Sequence, residues 1–442
     1  MPEIFDERNS ETYKNLSERF VRQSEDYNQQ YHRIYTVRLS EMTKNLMNVI
    51  KMKWKDEYPV CKLHRLSEEN YEKCIVIGTI FKNMKLKPSV LKQLCEASSL
   101  VPQPIPDHFT DESDTLYIED DLQRFELVVQ EDFDKDFNVK RLITGVVCAL
   151  FGQYDDVKSK FIVMDYVFPT LEVKIEKPLI NDDCYIVFMS GLNFVNSENR
   201  GLKLKNMSDF IKGFFGAINN VDPKRIVRII IAGGAIKNSS NKTNLNNFNK
   251  STIAPISSNN LLTDAIKSLD LFLSDLSQTI DVDLMPGQND PSNFVLPQKP
   301  LHHCLFPQTI QYKSFNRVSN PYEFEIAEMR ILGTSGEPIN NVLNYTDIEE
   351  PIEALESCLK WGHLAPSAPD TLACFPYYDQ DPFIIQNFPH VVFAGNQKKF
   401  DTKIVNDCGE AVRIVCVPDF SFTSSICLLN LKSLECTEMV FL

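Results

Sequence analysis

The chain has no run of about 18 apolar residues, the length a helix needs to cross a bilayer, so no membrane span is expected. None of its 12 cysteines stands in a C-x-x-C pair, which removes the usual zinc-finger and redox spacings. Most of them sit among apolar neighbours, as Cys148, Cys416 and Cys427 do, the setting of reduced, buried thiols in an intracellular protein. The nearest His/Cys cluster is His302-His303-Cys304. Adjacent residues on an extended segment point opposite ways, so this cluster is not expected to share a metal. The first residues, MPEIFDERNSE, are acidic and polar and do not read as a secretory signal. Positive charge is in deficit: 46 Lys and Arg against 60 Asp and Glu leave a formal net charge of −14. Such a chain is repelled by phosphate backbones unless its cations gather in one patch. The densest group is Lys51, Lys53 and Lys55, beside Lys44 and Lys62, and it reads as a solvated helix end.

What is present suits a soluble globular chain. At 442 residues, 43% hydrophobic and 24% charged, it predicts two or three domains with sizeable cores. Residues 10–55 read as helical, because Leu16, Phe20, Ile34, Val37 and Leu46 recur at three-to-four spacing. Tyr27, Tyr31 and Tyr35 read as packing residues. From about 58 to 170 the pattern is strand-rich: CIVIGTIFKNM, two strands around Asp120-Asp121, RLITGVVCALFGQYDD and KFIVMDYVFP, with a short helix over Pro88 to Ala97. Five or six strands in that span suit a small Greek-key barrel such as an OB-fold. Its acids, 111–121 and 131–136, favour a protein-binding barrel over a single-strand binder.

Beyond about 180, strands alternate with helices: CYIVFMSGL, a helix Ser208 to Ile218 capped by Ser208, RIVRIIIAGGAI, a helix Leu261 to about Ser277, TIDVDLMPG, EIAEMRILGTSG, a helix Glu349 to Trp361, HVVFAGN and EAVRIVCVP. Residues 237–260 are Asn/Ser-rich and read as a mobile loop. The expected organisation is an N-terminal helical segment 1–57, an OB-fold domain 58–172 and an α/β or α+β domain 173–442.

Several strands of the last domain end in a glycine turn: Ser190-Gly191, Gly233-Gly234, Pro286-Gly287, Gly333 to Gly336 and Gly395-Asn396. Ligand sites of open α/β sheets gather at such strand ends. The order and spacing resemble calcineurin-like metallophosphoesterases, which imply Asp-x-His, Gly-Asp, Gly-Asn-His-Asp, a lone His and Gly-His-x-His on these turns. Those ligands hold two metals that activate water and stabilise a phosphate transition state. Matched residue by residue, Gly191 and Asn193 stand at Asp-x-His, and Gly234 at the Asp of Gly-Asp, a dipeptide the chain lacks altogether. Asn289 replaces the third motif's His, Leu332 falls at or near the lone His, and Asn396 and Lys398 take the last two His positions. Asp290 alone remains, and one carboxylate among neutral amides does not build a dinuclear hard-metal centre. Asp290 reads as a turn cap bonding backbone N–H groups.

Longer blocks, MPGQNDPSNFVLPQKPLHHCLFP, RILGTSGEPINNVLNY, HLAPSAPDTLACFPYYDQDPF and PHVVFAGNQKKF, resemble the B subunits of eukaryotic replicative DNA polymerases, the delta branch most of all. VIGTIFKNMKLKPSVLKQL is similar to the start of that family's OB domain. The resemblance, over residues 30 to 430, implies an α/β (α+β) multidomain chain. Its parts are N-terminal helices, an OB-fold β-barrel and an inactive calcineurin-like phosphoesterase domain with a central β-sandwich flanked by helices. It implies a nuclear, non-catalytic scaffold in DNA replication and repair. Its partners would be the catalytic subunit's C-terminal cysteine-rich module and a third accessory subunit, with no membrane and at most weak contact with DNA. The catalytic subunit carries its own zinc or iron–sulfur cluster, so no metal or cofactor is expected here. Two rival readings are a metal-dependent phosphodiesterase or nuclease with changed ligands, and a single-stranded DNA-binding module acting through the OB-fold. Thr334-Ser335 with His363 reads as a bland turn rather than a nucleophile pair, for no strand–Gly-x-Ser-x-Gly–helix elbow is present. Asp370, Asp379 and Asp381 lack the EF-hand register and read as turn caps, and Phe375, Tyr377, Tyr378 and Phe383 as a packed corner.

Overall fold

A computed structural model describes residues 8, 10–22, 26–68, 71–88, 108–129, 134, 136–169, 176–196, 200–218, 221–236, 256–407 and 410–441. Among them no helix is long and apolar enough to cross a membrane. The chain divides into two compact units, one of Ser24–Lys174 with Pro338–Phe388, the other of Met1–Gln23, Ile175–Glu337 and Pro389–Leu442.

The helix expected from residue 10 begins much later. A short strand β1 (Tyr13–Asn15) and a 3-10 turn (Ser17–Phe20) precede α1 (His32–Trp54). The turn reproduces the helical spacing of Leu16 and Phe20 by burying Phe20, while residues 13–15 pair antiparallel with 324–326. Long-range strand pairing overrides local periodicity there. In α1 every fourth residue is buried: Ile34, Arg38, Met42, Leu46, Ile50 and Trp54. The helix stops where Lys55 turns left-handed, φ 48°.

Six strands follow: β2 (Val60–Cys61), β3 (Cys74–Asn83), β4 (Thr115–Glu119), β5 (Arg124–Val128), β6 (Val147–Asp155) and β7 (Lys160–Val167). Their order is β2-β3-β4-β5-β7-β6, and β6 also pairs with β3, which closes a five-stranded barrel of the expected OB kind. Met42, Leu46, Ile50 and Trp54 of α1 pack on Ile75, Val147 and Ala149. Gly152 marks the barrel's bend: the β6–β7 register shifts there, and a Cβ would lie 2.0 Å from the Ile162 carbonyl. Nearly all of the helix expected over 88–97 lies outside the described residues.

The other unit is a β-sandwich with helices on one face. Its elements are β8 (Tyr185–Met189), α2 (Gly201–Lys212), β9 (Ile226–Ala232), α3 (Ile256–Ser277), β10 (Asp281–Met285), β11 (Phe315–Arg317), β12 (Tyr322–Ile326) and β13 (Met329–Thr334). Then α4 (Glu337–Tyr345) and α5 (Pro351–Lys360) lead through the 338–388 excursion, and the chain returns as β14 (Val391–Gln397), β15 (Asp401–Asp407), β16 (Glu410–Pro418), α6 (Phe420–Thr423), β17 (Ser425–Asn430) and β18 (Cys436–Val440). One sheet runs β11-β10-β9-β8-β17-β18, the other β1-β12-β13-β14-β16-β15. Side chains alternate by strand periodicity. Ile186, Phe188, Val227 and Ile230 meet Phe324, Ile331, Phe393 and Val415 between the sheets, while Val187, Ile229, Ile231 and Leu284 pack on Leu204, Phe210, Leu269 and Leu273 of α2 and α3.

Three elements differ from expectation. The helix placed at 208–218 is Gly201–Lys212, stopped by Gly213 at φ 92°, whose N–H reaches Phe210 O. Ser208 is therefore mid-helix, bonded to Asp275, and Phe214 and Phe215 are 73% and 53% exposed. The single strand read in EIAEMRILGTSG is a hairpin of β12 and β13, turned at Ala327 and Glu328 with φ 48° and 64°. Without Gly, Asn or Asp at those positions the turn left no mark in the sequence. Residues 256–260, placed in the mobile loop, open α3, and the rest of that loop lies outside the described residues.

Candidate functional site

β8, β9 and β10 run parallel in one sheet and β13, β14 and β16 in the other, so their carboxyl ends share an edge. The glycine turns meet there. Gly191 N–H donates to Gly233 O and Asn193 N–H to Gly234 O, both at 3.0 Å. The backbone is left-handed at Gly191, Asn193, Gly233, Gly234 and Asn396, with φ between 48° and 78°. Glycine and asparagine are the residues that tolerate this.

The directions in which ligand side chains would project are filled by other side chains. A Cβ on Gly191 would lie 2.3 Å from the Asp419 carboxylate, and one on Gly234 2.3 Å from Asn396 Oδ1. Asn396 Nδ2 donates to Ala232 O (3.1 Å) and Ser335 O (2.8 Å), and its N–H to Ser190 Oγ (2.8 Å). Asp290 is buried. Its Oδ2 accepts from Gly234 N (2.8 Å) and Gly287 N (2.9 Å), and its Oδ1 from Ile236 N (2.8 Å). It is the backbone-bonding cap expected of it, with both oxygens spent on turns of neighbouring strands.

The other matched positions do not converge. Asn289 and Lys398 are exposed. Leu332 is fully buried inside β13, opposite Val392, two residues short of the strand end. Asn193 Oδ1 is buried without a partner. None of the seven histidines lies on these turns. The donors at this face are thus amides, hydroxyls and the carboxylates of Asp290, Asp419 and Glu337, each already hydrogen-bonded within the fold.

The turn after β13 holds residues the sequence reading missed. Buried Asn320 donates to Gln298 Oε1 (2.8 Å), Ser335 Oγ (2.8 Å) and Glu337 Oε2 (3.1 Å), and accepts from Ser335 N (3.0 Å). Gln298 in turn donates to Gly287 O (3.2 Å). Burial raises the Glu337 carboxyl above its usual range, against the bonds from Ser335 and Asn320, and nearby Asp290 adds to the rise. Asn320 and Gln298 lie on loops without a turn glycine to point to them, and Glu337 opens α4 just past the Gly333–Gly336 turn.

Ser335 bonds Glu337 and Asn320, while His363 bonds Asp381, so they are no nucleophile pair. Asp381 caps Phe383 N–H as expected, and also takes Arg38 Nε at 2.7 Å and His363 Nε2 at 3.0 Å. Asp370 pairs with Lys87 at 2.6 Å. Phe375 and Tyr377 are buried edge to face, while Tyr378 is 49% exposed. In the basic group, Lys53 Nζ is paired with Asp165 at 2.6 Å. No described cysteine is in a disulfide, and nine of the ten are buried. The exception is Cys304. Its cluster is not wholly on extended backbone as expected: His302 is extended, but His303–Leu305 is a 3-10 turn.

A sequence profile for the B subunit of DNA polymerases alpha and epsilon matches residues 186–402, and one for the DNA polymerase delta subunit OB-fold domain matches residues 30–166. The chain is 37% identical to the DNA polymerase delta small subunit of Oryza sativa subsp. japonica, over 98% of both chains. Identity is again 37% to the small subunit of Arabidopsis thaliana, over 98% of this chain and 96% of that one, and to DNA polymerase delta subunit 2 of Drosophila melanogaster, over 97% of each. A solved archaeal phosphodiesterase covers 58% of the chain at 13% identity with a TM-score of 0.31, a likeness too distant to weigh. Full-length identity at this level, with both domain profiles in order, means that the chain belongs to the family of DNA polymerase delta small subunits, the B subunits of replicative polymerases.

Proposed function

We propose that this chain, an accessory subunit of DNA polymerase delta by family, takes no part in catalysis and serves as a scaffold in nuclear DNA replication and repair. It joins the catalytic subunit's C-terminal cysteine-rich module to a third accessory subunit. The observation that carries the non-catalytic reading is the filling of the strand-end face. Asp419 and Asn396 take the space that side chains at 191 and 234 would need, and Asp290 is spent on backbone N–H groups. Gly191, Asn193, Gly234, Asn289, Asp290, Leu332, Asn396 and Lys398 are then degenerate former ligand positions. The domains proposed along the sequence are 1–57, the OB-fold domain 58–172 and the inactive phosphoesterase-like domain 173–442, whose 338–388 excursion belongs to the compact unit of the barrel.

A scaffold of this size buries more than about 2,000 Å² with its partner, with an apolar centre. The test is recovery of tagged chain from nuclear extract at moderate salt. Polymerase catalytic and third subunits are expected in stoichiometric yield, and the purified chain is expected to leave phosphodiesters intact with Mn²⁺ or Mg²⁺ present. A stable monomer that recovers neither subunit overturns the scaffold. Metal-dependent cleavage that co-elutes with the chain overturns the non-catalytic reading.

A further inference from the structure

The turn between Leu301 and Phe306 presents two imidazoles and a thiol on consecutive residues, His302, His303 and Cys304. Their donor atoms lie within 4.8 Å of one another, and all three residues are exposed. On a strand, neighbouring side chains diverge to opposite faces. Here His302 is the extended N-cap of a 3-10 turn that His303 and Cys304 open, so the three do not alternate as on a strand and rotamer choice can bring them to one side. The two imidazole centroids are already 4.2 Å apart.

The turn is held from both sides. Leu301 and Phe306 flank it fully buried in the core beneath α3. Leu305 N–H donates to His302 O (3.1 Å), Phe306 N–H to His303 O (3.0 Å), and Arg317 to Leu301 O (2.9 Å). Just downstream, the Asp270 carboxylate takes the N–H groups of Gln308 and Thr309, each at 3.0 Å. The donors therefore stand on a fixed backbone, and folding has already met most of the entropy of gathering three ligands.

Two neutral imidazoles and a thiolate make a borderline-soft set. It suits Zn²⁺, with Co²⁺ as its spectroscopic substitute, and not the oxygen-seeking Mg²⁺, Ca²⁺ or Mn²⁺. With metal–nitrogen bonds of about 2.0–2.1 Å and a metal–sulfur bond of about 2.3 Å, tetrahedral donors lie roughly 3.3–3.7 Å apart. Separations up to 4.8 Å close to that by small rotations of exposed side chains. We propose that His302, His303 and Cys304 form a binding site for one Zn²⁺-class cation, with water in the fourth position. On binding, the Cys304 S–H bond is exchanged for a sulfur–metal bond and its proton goes to solvent. Each imidazole binds neutral through one ring nitrogen. If His302 uses Nδ1, it gives up only the long 3.3 Å bond from the Cys304 N–H. The site is separate from the strand-end turns and shares no residue with them.

The experiment titrates the purified, metal-stripped full chain with Co²⁺ alone, then displaces it with Zn²⁺ against a chromophoric chelator. One equivalent of Co²⁺ is expected at micromolar free metal, with thiolate-to-cobalt charge transfer, tetrahedral d–d bands and release of protons. Cys304→Ser should abolish the charge-transfer band, and His303→Ala should weaken uptake by about tenfold or more, the loss of one of three ligands. Because these side chains are exposed, both variants should melt as the wild type does. No uptake by the wild type, or uptake undiminished in a His303→Ala/Cys304→Ser double variant, overturns the proposal.

Discussion

Asp290 serves three backbone N–H groups on two turns with one carboxylate. Its oxygens satisfy the N–H groups of Gly234, Ile236 and Gly287, all buried and all at strand ends where no neighbouring strand can pair them. An ionised acceptor strengthens each such bond, and removing it leaves buried donors unmatched. Asp290→Ala should therefore cost about 3–5 kcal/mol, measured by denaturant unfolding. Asp290→Asn should fall between, since its oxygen can serve the two N–H groups at Oδ2 while its amide faces the third. A loss of under about 1 kcal/mol on Asp290→Ala would mean that the turns hold without it. The Pro-Gly turn and its lone acid were legible in the sequence. The Asn320 hub was not, because Gln298 and the Ser335–Glu337 turn stand well apart from it in the chain, and an isolated Asn carries no periodic signal.

α1 shows how an element can be legible and still conceal its main interaction. Its apolar spacing predicts a helix, yet the stripe contains Arg38, which is fully buried. Its guanidinium donates to the carbonyls of Gly145 (3.3 Å), Pro366 (2.7 Å) and Ala368 (2.7 Å) and pairs with Asp381. The helix, the barrel and the 338–388 excursion are thus joined through one side chain, inside one compact unit. Arg38→Met should destabilise that unit by about 3–5 kcal/mol, because it strands a buried carboxylate. Trp54 and Trp361, the chain's two tryptophans, both lie in this unit, so their fluorescence reports its unfolding.

The pH dependence follows from the same pair. Burial acts to raise the Asp381 carboxyl, but Arg38 and His363 outweigh it and hold the group well below the usual carboxylate range. A folded pKa below the unfolded value of about 3.9 gives stabilisation that is complete above that value and fades as pH falls below it. The gap between wild type and Arg38→Met should thus be widest near neutrality and should narrow below about pH 4. A gap independent of pH would place the stabilisation in the carbonyl bonds rather than in the ion pair.

For the whole molecule, charge sets the terms of encounter with nucleic acid. At −14 the chain repels phosphate, and Lys53, central to its densest basic group, is already paired with Asp165. The isolated protein should bind single-stranded DNA weakly, with affinity falling steeply as salt rises, read by fluorescence anisotropy. A salt-resistant nanomolar complex would instead make the OB barrel a DNA-binding module.

Composition, periodicity and glycine placement by themselves determined the barrel, the alternating strand-helix domain and the row of strand-end turns. Each is a local pattern, set by side-chain alternation or by backbone angles that few residues adopt. Tertiary structure alone decided the rest. It made residues 13–15 a strand by offering them the edge of β12. It placed Asp419 and Asn396 against Gly191 and Gly234, and it curled His302, His303 and Cys304 into one cluster. The first two of these depend on contacts between residues far apart in the chain, and the last on a turn clamped by distant partners. Such contacts have no period, so only the folded backbone brings them together.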